Sequence, residues 1–129
     1  MGRLTTKQLT ERELEIMHVF WDAPDEQPTV VEVRDRLSAQ GRDLAITTVA
    51  TMISILVDKK HLKQTGDTRP HGYRALHTKE VISGSILGDL VDRVFGGSTT
   101  ALLKCLSEQK GLTKKERARL ERLVQDLEE

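Results

Sequence analysis

At 129 residues and 37% hydrophobic content, the chain is long enough for one domain with a short appendage and a modest core. Its aromatic content of 3% disfavours a single-stranded nucleic-acid binder, which needs aromatic platforms for the bases, and its lone cysteine, Cys105, excludes an intramolecular disulfide and a multi-cysteine zinc site. The formal net charge is zero, so a surface for an acidic partner has to arise from the distribution of charge along the chain.

Threonine–glutamate capping boxes predict three of the helices, because the threonine hydroxyl and the carboxylate three residues later satisfy free backbone amides at a helix start. These boxes are Thr10-x-x-Glu13, Thr29-x-x-Glu32 and Thr113-x-x-Glu116. They predict helices over about 10–22, 30–40 and 114–127. Gly41 is suited to follow the second of these helices, since glycine readily adopts the left-handed conformation found there.

A further helix is predicted over about 46–60, with Val49, Ile53 and Leu56 on its apolar face. Its opposite face carries small polar side chains instead of the glutamates and lysines of an ordinary surface helix. Short donors and acceptors favour a helix that lies in a DNA groove, and a partly buried helix rich in β-branched residues is the alternative. The polar residues of this face are Thr47, Thr51, Ser54 and Asp58.

Two short strands, 62–65 and 72–76, follow this helix and are joined by a polar, turn-rich tip. A hairpin directly after a third helix is the arrangement of a winged helix, in which the hairpin forms the wing. The basic residues in and beside this hairpin are Lys59, Lys60, Lys63, Arg69, His71 and Arg74. The sequence therefore predicts a mainly α protein whose N-terminal winged helix-turn-helix domain, 1–77, binds DNA and includes a small β-hairpin.

The charge distribution supports double-stranded DNA as the partner of this domain. Residues 1–33 contain three basic and seven acidic side chains, whereas residues 34–74 contain eight basic and four acidic ones. A focused basic face binds phosphate even on a neutral protein, and a solvated mixed-charge surface is the alternative. The predicted base-reading residues are Thr47, Thr48 and Thr51. The predicted contacts to the DNA backbone are Arg42, Lys59, Lys63, Arg69, His71 and Arg74.

The rest of the chain, 78–129, is predicted to form an all-helical dimerisation domain. Helices are expected over about 79–94, after the N-cap Ser98, and over about 114–127, each with an apolar stripe. Three short amphipathic helices do not bury these stripes among themselves, so a second copy of the chain is expected to cover them, and folding back onto the N-terminal domain is the alternative. The residues predicted at the dimer interface are Ile86, Leu90, Val94, Leu103, Leu106 and Leu123.

The sequence indicates a protein that is not an enzyme and needs no cofactor, because it lacks a glycine-rich phosphate loop, an H-E-x-x-H pair and a Ser/His/Asp order. His61, His71 and His77 would converge with Asp67 on a metal only from irregular spacing, which favours exposed or phosphate-facing histidines and no metal site. Cys105, on an apolar helix face, is predicted to be a small buried hydrophobic residue, with a redox sensor as the alternative.

Five ordered segments together carry a family resemblance. They are 9–17 running to Trp21, 29–33, 47–49 with 56–60, the hairpin end Tyr73-Arg74, and 90–98. In these segments the chain resembles the penicillinase/methicillin-resistance repressor family (BlaI/MecI/CopY type), which also includes copper-responsive repressors. The match spans nearly the whole chain, and the ordered set is more specific than any single segment.

The resemblance implies a cytoplasmic homodimer that blocks transcription by binding a palindromic operator through its winged helices. It also implies relief of repression by proteolysis in the C-terminal region, under the control of a membrane-bound sensor-protease in the antibiotic-resistance branch. By alignment the cleaved bond is Lys104–Cys105. The chain lacks the Asn-Phe pair of that branch at this bond, the C-terminal cysteine cluster of the copper branch, and the basic residue that many members carry around Ser54–Ile55.

Two other function classes stay open. One is a metal- or small-ligand-sensing winged-helix regulator, which would release DNA when the ligand is added to the purified protein. The other is a winged helix used for protein–protein assembly, whose DNA binding would be weak and salt-labile. No segment has the ~20 apolar residues of a membrane-spanning helix, so membrane insertion is not expected.

Overall fold

The computed structural model describes residues 9–128, so the first eight residues of the predicted 1–77 domain lie outside the described residues. The chain divides into two compact units, of which the first ends at Ser83 and the second begins at Gly84. The elements in chain order are α1 (Glu11–Asp22), α2 (Val30–Ala39), α3 (Ile46–Asp58), β1 (Leu62–Thr65), β2 (Gly72–Ala75), α4 (Lys79–Val94), α5 (Thr99–Ser107) and α6 (Lys114–Glu128). Among the described helices, none has the length and apolar character that a membrane span requires.

The first unit is a three-helix core followed by a two-stranded antiparallel hairpin, so the predicted mainly α, winged-helix architecture is confirmed. Each helix turns one apolar stripe toward a shared core, where burial of aliphatic surface supplies most of the stabilisation. The residues at the centre of this core are Ile16, Met17, Phe20, Val33, Leu37, Val49, Ile53, Leu56 and Leu62.

The three predicted capping boxes are all formed. In the first, the Thr10 hydroxyl accepts from the Glu13 backbone N–H at 3.1 Å, while the Glu13 carboxylate accepts from the Thr10 N–H at 2.8 Å. The other two boxes contain the same reciprocal pair of hydrogen bonds. Gly41 follows α2 with a φ of 87°, as predicted. By contrast, α3 begins after Ala45 and has no side-chain cap.

The hairpin is fixed at its base to the segment that precedes α2. The Tyr73 backbone N–H donates to the Pro28 carbonyl at 3.1 Å, and Gly72 forms an isolated antiparallel bridge with Thr29. A Cβ atom at position 72 would lie 2.4 Å from the Gln27 carbonyl oxygen, which is far closer than van der Waals contact. Glycine is therefore required at position 72 for the hairpin to dock here.

The end of α3 differs from the prediction, which carried the helix to about residue 60. The helix ends at Asp58 because Lys60 adopts a left-handed conformation, with a φ of 68°. The Lys60 N–H donates to the Val57 carbonyl and the His61 N–H donates to the Leu56 carbonyl, as in a helix-terminating motif that usually places glycine at this position. No glycine marks this turn in the sequence.

The second unit is built on the pairing of α5 with α6. Ser98 caps α5 as predicted, and Val124 of α6 is buried. The Arg117 guanidinium ties the start of α6 to the end of α5, since it donates to the Ser107 carbonyl at 3.0 Å and to the Gln109 carbonyl at 3.1 Å. The first of these bonds satisfies a carbonyl group that the end of α5 leaves without an intrahelical donor.

Replacing Lys60 with glycine is expected to stabilise the protein, because the left-handed conformation costs a residue with a Cβ atom about 1 kcal/mol more than glycine. We expect the free energy of unfolding from urea denaturation to rise by about 0.5–1 kcal/mol in Lys60→Gly. Lys60→Ala keeps the Cβ atom and is the matched control, with little change expected. Equal stability of the two variants would contradict a strained Lys60.

Candidate nucleic-acid interface

The three predicted base-reading threonines lie together on α3. Thr47 and Thr51 are exposed and Thr48 is half-buried, whereas Val49 and Ile53 on the other side of the helix are buried in the core. The three threonines line an open depression of about 450 Å³. The α3 sequence contains no lysine, arginine, asparagine or glutamine, so this surface offers hydroxyls and methyl groups rather than long polar side chains.

The N-terminal end of α3 is unlike those of α1 and α2. Ala45 supplies no side-chain acceptor, and the first turn contains no acidic residue. The first backbone N–H groups of a helix have no intrahelical partner, and the helix dipole makes this end positive. The start of α3 therefore suits an anion such as a phosphate.

The hairpin carries cations that no carboxylate of residues 9–128 neutralises. Lys63 lies opposite Arg74 in the antiparallel register, so both side chains occupy the same face of the sheet, and Arg69 lies at the tip. All three are exposed, and none forms an ion pair with a residue that the structure describes. His71 is half-buried, and its Nδ1 atom is buried without a hydrogen-bond partner among the described residues.

The other two predicted backbone contacts are engaged within the protein. The Arg42 guanidinium donates to the Glu15 carboxylate at 2.9 Å. The Lys59 ammonium lies 2.9 and 3.0 Å from the two oxygens of the Glu13 carboxylate. Because the Glu13 side chain is only 5% exposed, this pair lies at the edge of the core and not on an open surface.

Glu13 links the start of α1 to the end of α3, a role that the sequence analysis did not foresee beyond its place in the capping box. Burial raises the pKa of its carboxyl, but the hydrogen bond from the Thr10 backbone and the neighbouring Lys59 ammonium outweigh burial and hold the pKa below its ordinary value. The carboxylate is therefore charged at neutral pH. It stabilises the ammonium of a lysine that is itself only 23% exposed.

The sequence predicted that His61 is exposed or faces a phosphate, and this prediction is wrong, because His61 is buried. Its Nδ1 atom has no hydrogen-bond partner in the described part of the chain. Burial, His77 and Lys59 lower the pKa of His61, whereas Glu13 raises it, and the net effect is a pKa below the ordinary value. The ring is therefore uncharged at neutral pH. Within residues 9–128, no three His, Cys, Asp or Glu side chains are arranged to hold a metal ion.

One cation at this surface was not predicted from the sequence. Arg12, the second residue of α1, is exposed and lines the same depression as Thr47, Thr48 and Thr51. No periodicity or motif distinguishes Arg12 in the sequence, because its position depends on how α1 packs against α3. The block of residues that contains it is also acidic overall.

The second unit exposes much apolar surface when a single chain is considered. Leu103 is half-buried, and the other residues predicted at a dimer interface are all classed as exposed. These exposed residues are Ile86, Leu90, Val94, Leu106 and Leu123. Leu87 and Leu127 are exposed as well, and the predicted interface omitted both. Such a concentration of aliphatic surface is typical of an interaction surface.

The predicted cleavage site lies within α5. Cys105 is exposed in the single chain, so the prediction that it is buried is wrong, and its Sγ atom accepts a weak hydrogen bond from Gln109 at 3.7 Å. Lys104 forms an ion pair with Glu128 at the end of α6. The Lys104–Cys105 bond is therefore on the surface but in regular helical backbone, which a protease binds only after local unwinding.

Comparisons with known proteins give a matching family, related sequences and solved structures of similar fold. Residues 9–126 match the sequence profile of the family described as Penicillinase repressor. The chain is 35% identical over 112 residues to the transcriptional regulator BlaI of Mycobacterium tuberculosis, in strains CDC 1551 / Oshkosh and ATCC 25618 / H37Rv, and the match covers 86% of this chain and 78% of each relative. Its fold is similar to that of hsRosR-SG, with a TM-score of 0.51, 17% identity and 95% of each chain covered.

Replacing Glu13 with glutamine is expected to destabilise the protein in a pH-dependent way. Since the folded-state pKa of Glu13 lies below the ordinary value of 4.5, its charged form stabilises the fold above that pH, and this contribution is lost as the pH falls through the folded pKa. We expect Glu13→Gln to lower the free energy of unfolding by about 1–3 kcal/mol at pH 6. Urea denaturation between pH 6 and pH 3 measures this difference, which should shrink toward pH 3.

The matched control for this experiment is Glu15→Gln, which removes the more exposed ion pair with Arg42. Its effect at pH 6 should stay below about 1 kcal/mol, because solvent screens exposed pairs. A Glu13→Gln effect that does not change between pH 6 and pH 3 would contradict the lowered pKa.

Proposed function

The chain belongs to the penicillinase repressor family, and on that premise we propose that it acts as a homodimer that binds a palindromic operator. Its relatives are transcriptional regulators and not enzymes, and the chain is a transcriptional repressor of the BlaI type. The observation that carries the proposal is the exposed surface of α3, which presents threonine hydroxyls and an uncapped helix start. The opposite side of the same helix is buried in the core, and this burial fixes the position of α3.

In this proposal α3 enters the major groove and Thr47, Thr48 and Thr51 contact base edges. Arginine, asparagine and glutamine make the bidentate contacts that read guanine and adenine, and α3 has none of them. Threonine hydroxyls accept or donate single hydrogen bonds, and threonine methyl groups pack against the C5-methyl group of thymine. Each contact contributes about 1 kcal/mol, and thymines are the bases that α3 reads through apolar contact.

The hairpin cations hold the DNA backbone in this proposal. Lys63, Arg69 and Arg74 are exposed and without ion pairs among the described residues, and His71 follows Arg69 at the tip. Contacts of this kind position the protein without reading sequence. Arg42 and Lys59 contribute less than the sequence suggested, because each already has a carboxylate partner.

The exposed leucines of the second unit support the homodimer. A second copy would cover the apolar surface of α4, α5 and α6 with an identical surface, as a two-fold interface requires. Because individual base contacts are weak, useful affinity depends on two linked heads, which raise the apparent affinity by a factor of about 10² to 10⁴. The proposed dimerisation domain is residues 78–129, as divided from the sequence, and it includes the second unit, which begins at Gly84.

Release by proteolysis fits the same architecture. Cleavage at or near Lys104–Cys105 would split α5 and separate its first turns from α6, and so dismantle the proposed dimer interface without altering any proposed DNA contact. A membrane-bound sensor-protease is the proposed source of the signal. Helical backbone at this bond requires α5 to unwind before it is cut, so the cleavage rate depends on the local stability of the α5–α6 pair.

A ligand-sensing regulator is the second candidate, and one cavity favours it. The cavity has a volume of about 300 Å³ and is lined by Phe20, Trp21, Leu76 and His77, among others. The Trp21 indole N–H donates to the His77 carbonyl at 3.1 Å, which ties α1 to the segment before α4. Release of operator DNA on adding small apolar compounds, without any cleavage of the chain, would favour a ligand-sensing regulator over release by proteolysis.

The base-reading proposal predicts that the C5-methyl groups of thymine contribute to binding. A gel-shift assay with DNA from upstream of the gene, against a scrambled duplex, measures the affinity of the full-length chain. Replacing half-site thymines with deoxyuracil should weaken wild-type binding about fivefold per contacted base, and Thr48→Ala should reduce the preference for the operator by about fivefold per half-site. Arg69→Ala should weaken binding to both duplexes alike. Equal, salt-fragile binding of the wild type to both duplexes would refute operator recognition.

The dimer proposal predicts that a charge in the apolar surface separates the protomers. Leu90→Lys, at a residue that is 40% exposed, should convert the dimer to a monomer in sedimentation analysis and weaken operator binding by at least about 100-fold. Val31→Lys, on α2 and 45% exposed, is the matched control and should leave both properties unchanged. A Leu90→Lys protein that stays dimeric would place the interface elsewhere.

A further inference from the structure

Arg12 occupies a position that neither the motifs nor the family relationship assigns. It lies in the first turn of α1, with its side chain exposed, and it lines the depression formed with Thr47, Thr48 and Thr51 of α3. The proposed function makes these threonines the residues that face DNA bases. A cation on the neighbouring helix therefore lies beside the reading surface.

Among residues 9–128, Arg12 is the only cation that lines this depression. The described residues offer it no ion pair or hydrogen bond. Its two counterparts nearby are different, because Arg42 is held by Glu15 and Lys59 is held by Glu13. An unpaired guanidinium keeps its full charge and its rotational freedom for a ligand.

The acid in the same depression does not neutralise Arg12. Glu13 lines it too, but its carboxylate is bound by the Lys59 ammonium and the Thr10 amide, and it is nearly buried. Glu11 is exposed and adjacent in sequence, yet it is absent from the lining of the depression. The charge that the depression presents to a ligand is consequently positive.

We propose that Arg12 contacts a phosphate of the operator backbone at the edge of the groove that α3 occupies. This inference rests on the proposed function. Because Arg12 is on α1 and not on the inserted helix, it lies at the rim of the groove, where phosphates and not base edges are found. A guanidinium binds two phosphate oxygens at once, which suits an arginine at such a rim.

The contact also explains how a recognition helix without cations is held against a polyanion. α3 carries no lysine or arginine along its length, so the attraction has to come from neighbouring elements. The hairpin supplies it on one flank through Lys63 and Arg74. Arg12 supplies it from α1, whose position relative to α3 is set by the Glu13–Lys59 ion pair.

The test measures the affinity of full-length wild type, Arg12→Ala and Arg12→Lys for the upstream and the scrambled duplex at several salt concentrations. Arg12→Ala should weaken binding to both duplexes by the same factor, about tenfold or more at low salt, and should lower the salt slope by about two per dimer. Arg12→Lys should keep most of the slope. Arg36→Ala is the matched control, because its guanidinium is paired with Glu26 and it has no assigned DNA contact, and it should change the slope little.

Each outcome decides the inference. Loss confined to the upstream duplex would overturn it, since Arg12 would then be reading a base. An Arg12→Ala protein with the wild-type affinity and slope would overturn it while the wild type's operator preference keeps the proposed function intact. If the wild type binds both duplexes equally, the proposed function fails, yet the slope of Arg12→Ala on either duplex still decides the phosphate contact. Thermal unfolding at the wild-type midpoint confirms that the variant is folded.

Discussion

The Glu13 carboxylate is the contact on which the proposed DNA-binding surface depends. One carboxylate oxygen accepts a hydrogen bond from the Thr10 backbone N–H, and both oxygens lie within hydrogen-bond distance of the Lys59 ammonium. A single nearly buried group therefore caps the start of α1 and binds the end of α3. A carboxylate in such a place would be costly without partners, and with them it becomes a rigid link. The orientation of α3 relative to α1 follows from this link together with the apolar core beneath it.

The same link changes how charge along the sequence is understood. An acidic N-terminal block followed by a basic block suggested a focused basic face within the second block, with Arg42 and Lys59 among its contacts. In the folded chain, acids of α1 reach across and engage two of those cations, Arg42 and Lys59. Among the described residues of the two blocks, the cations without an ion pair are Lys60, the hairpin residues Lys63, Arg69 and Arg74, and, unexpectedly, Arg12 inside the acidic block. Net charge per segment thus describes the composition of a surface poorly when neighbouring helices carry opposite charge.

Much of the fold was predictable because its signals are local. Each capping box at Thr10, Thr29 and Thr113 depends only on hydrogen bonds between residues three positions apart, and each helix that the boxes predict is present. The left-handed turn at Lys60 was not predictable, since the residue type that favours it is absent and tertiary packing imposes it. Burial of His61 and exposure of Cys105 likewise depend on which elements pack together, a property that periodicity on one helix does not contain.

The close approach of Gly72 to the Gln27 carbonyl has a consequence for how related proteins can diverge. At the base of the hairpin no side chain fits, so substitutions there are removed by selection whatever DNA the protein binds. At the tip, Asp67, Thr68 and Arg69 are exposed, whereas Gly66 has open space around it but a φ of 76° that favours glycine. Variation among relatives should accordingly gather at the tip, in residue type and in length, while the base stays constant. The base therefore fixes the position of the hairpin, while the tip can change, and with it the strength of the proposed backbone contacts, without endangering the fold.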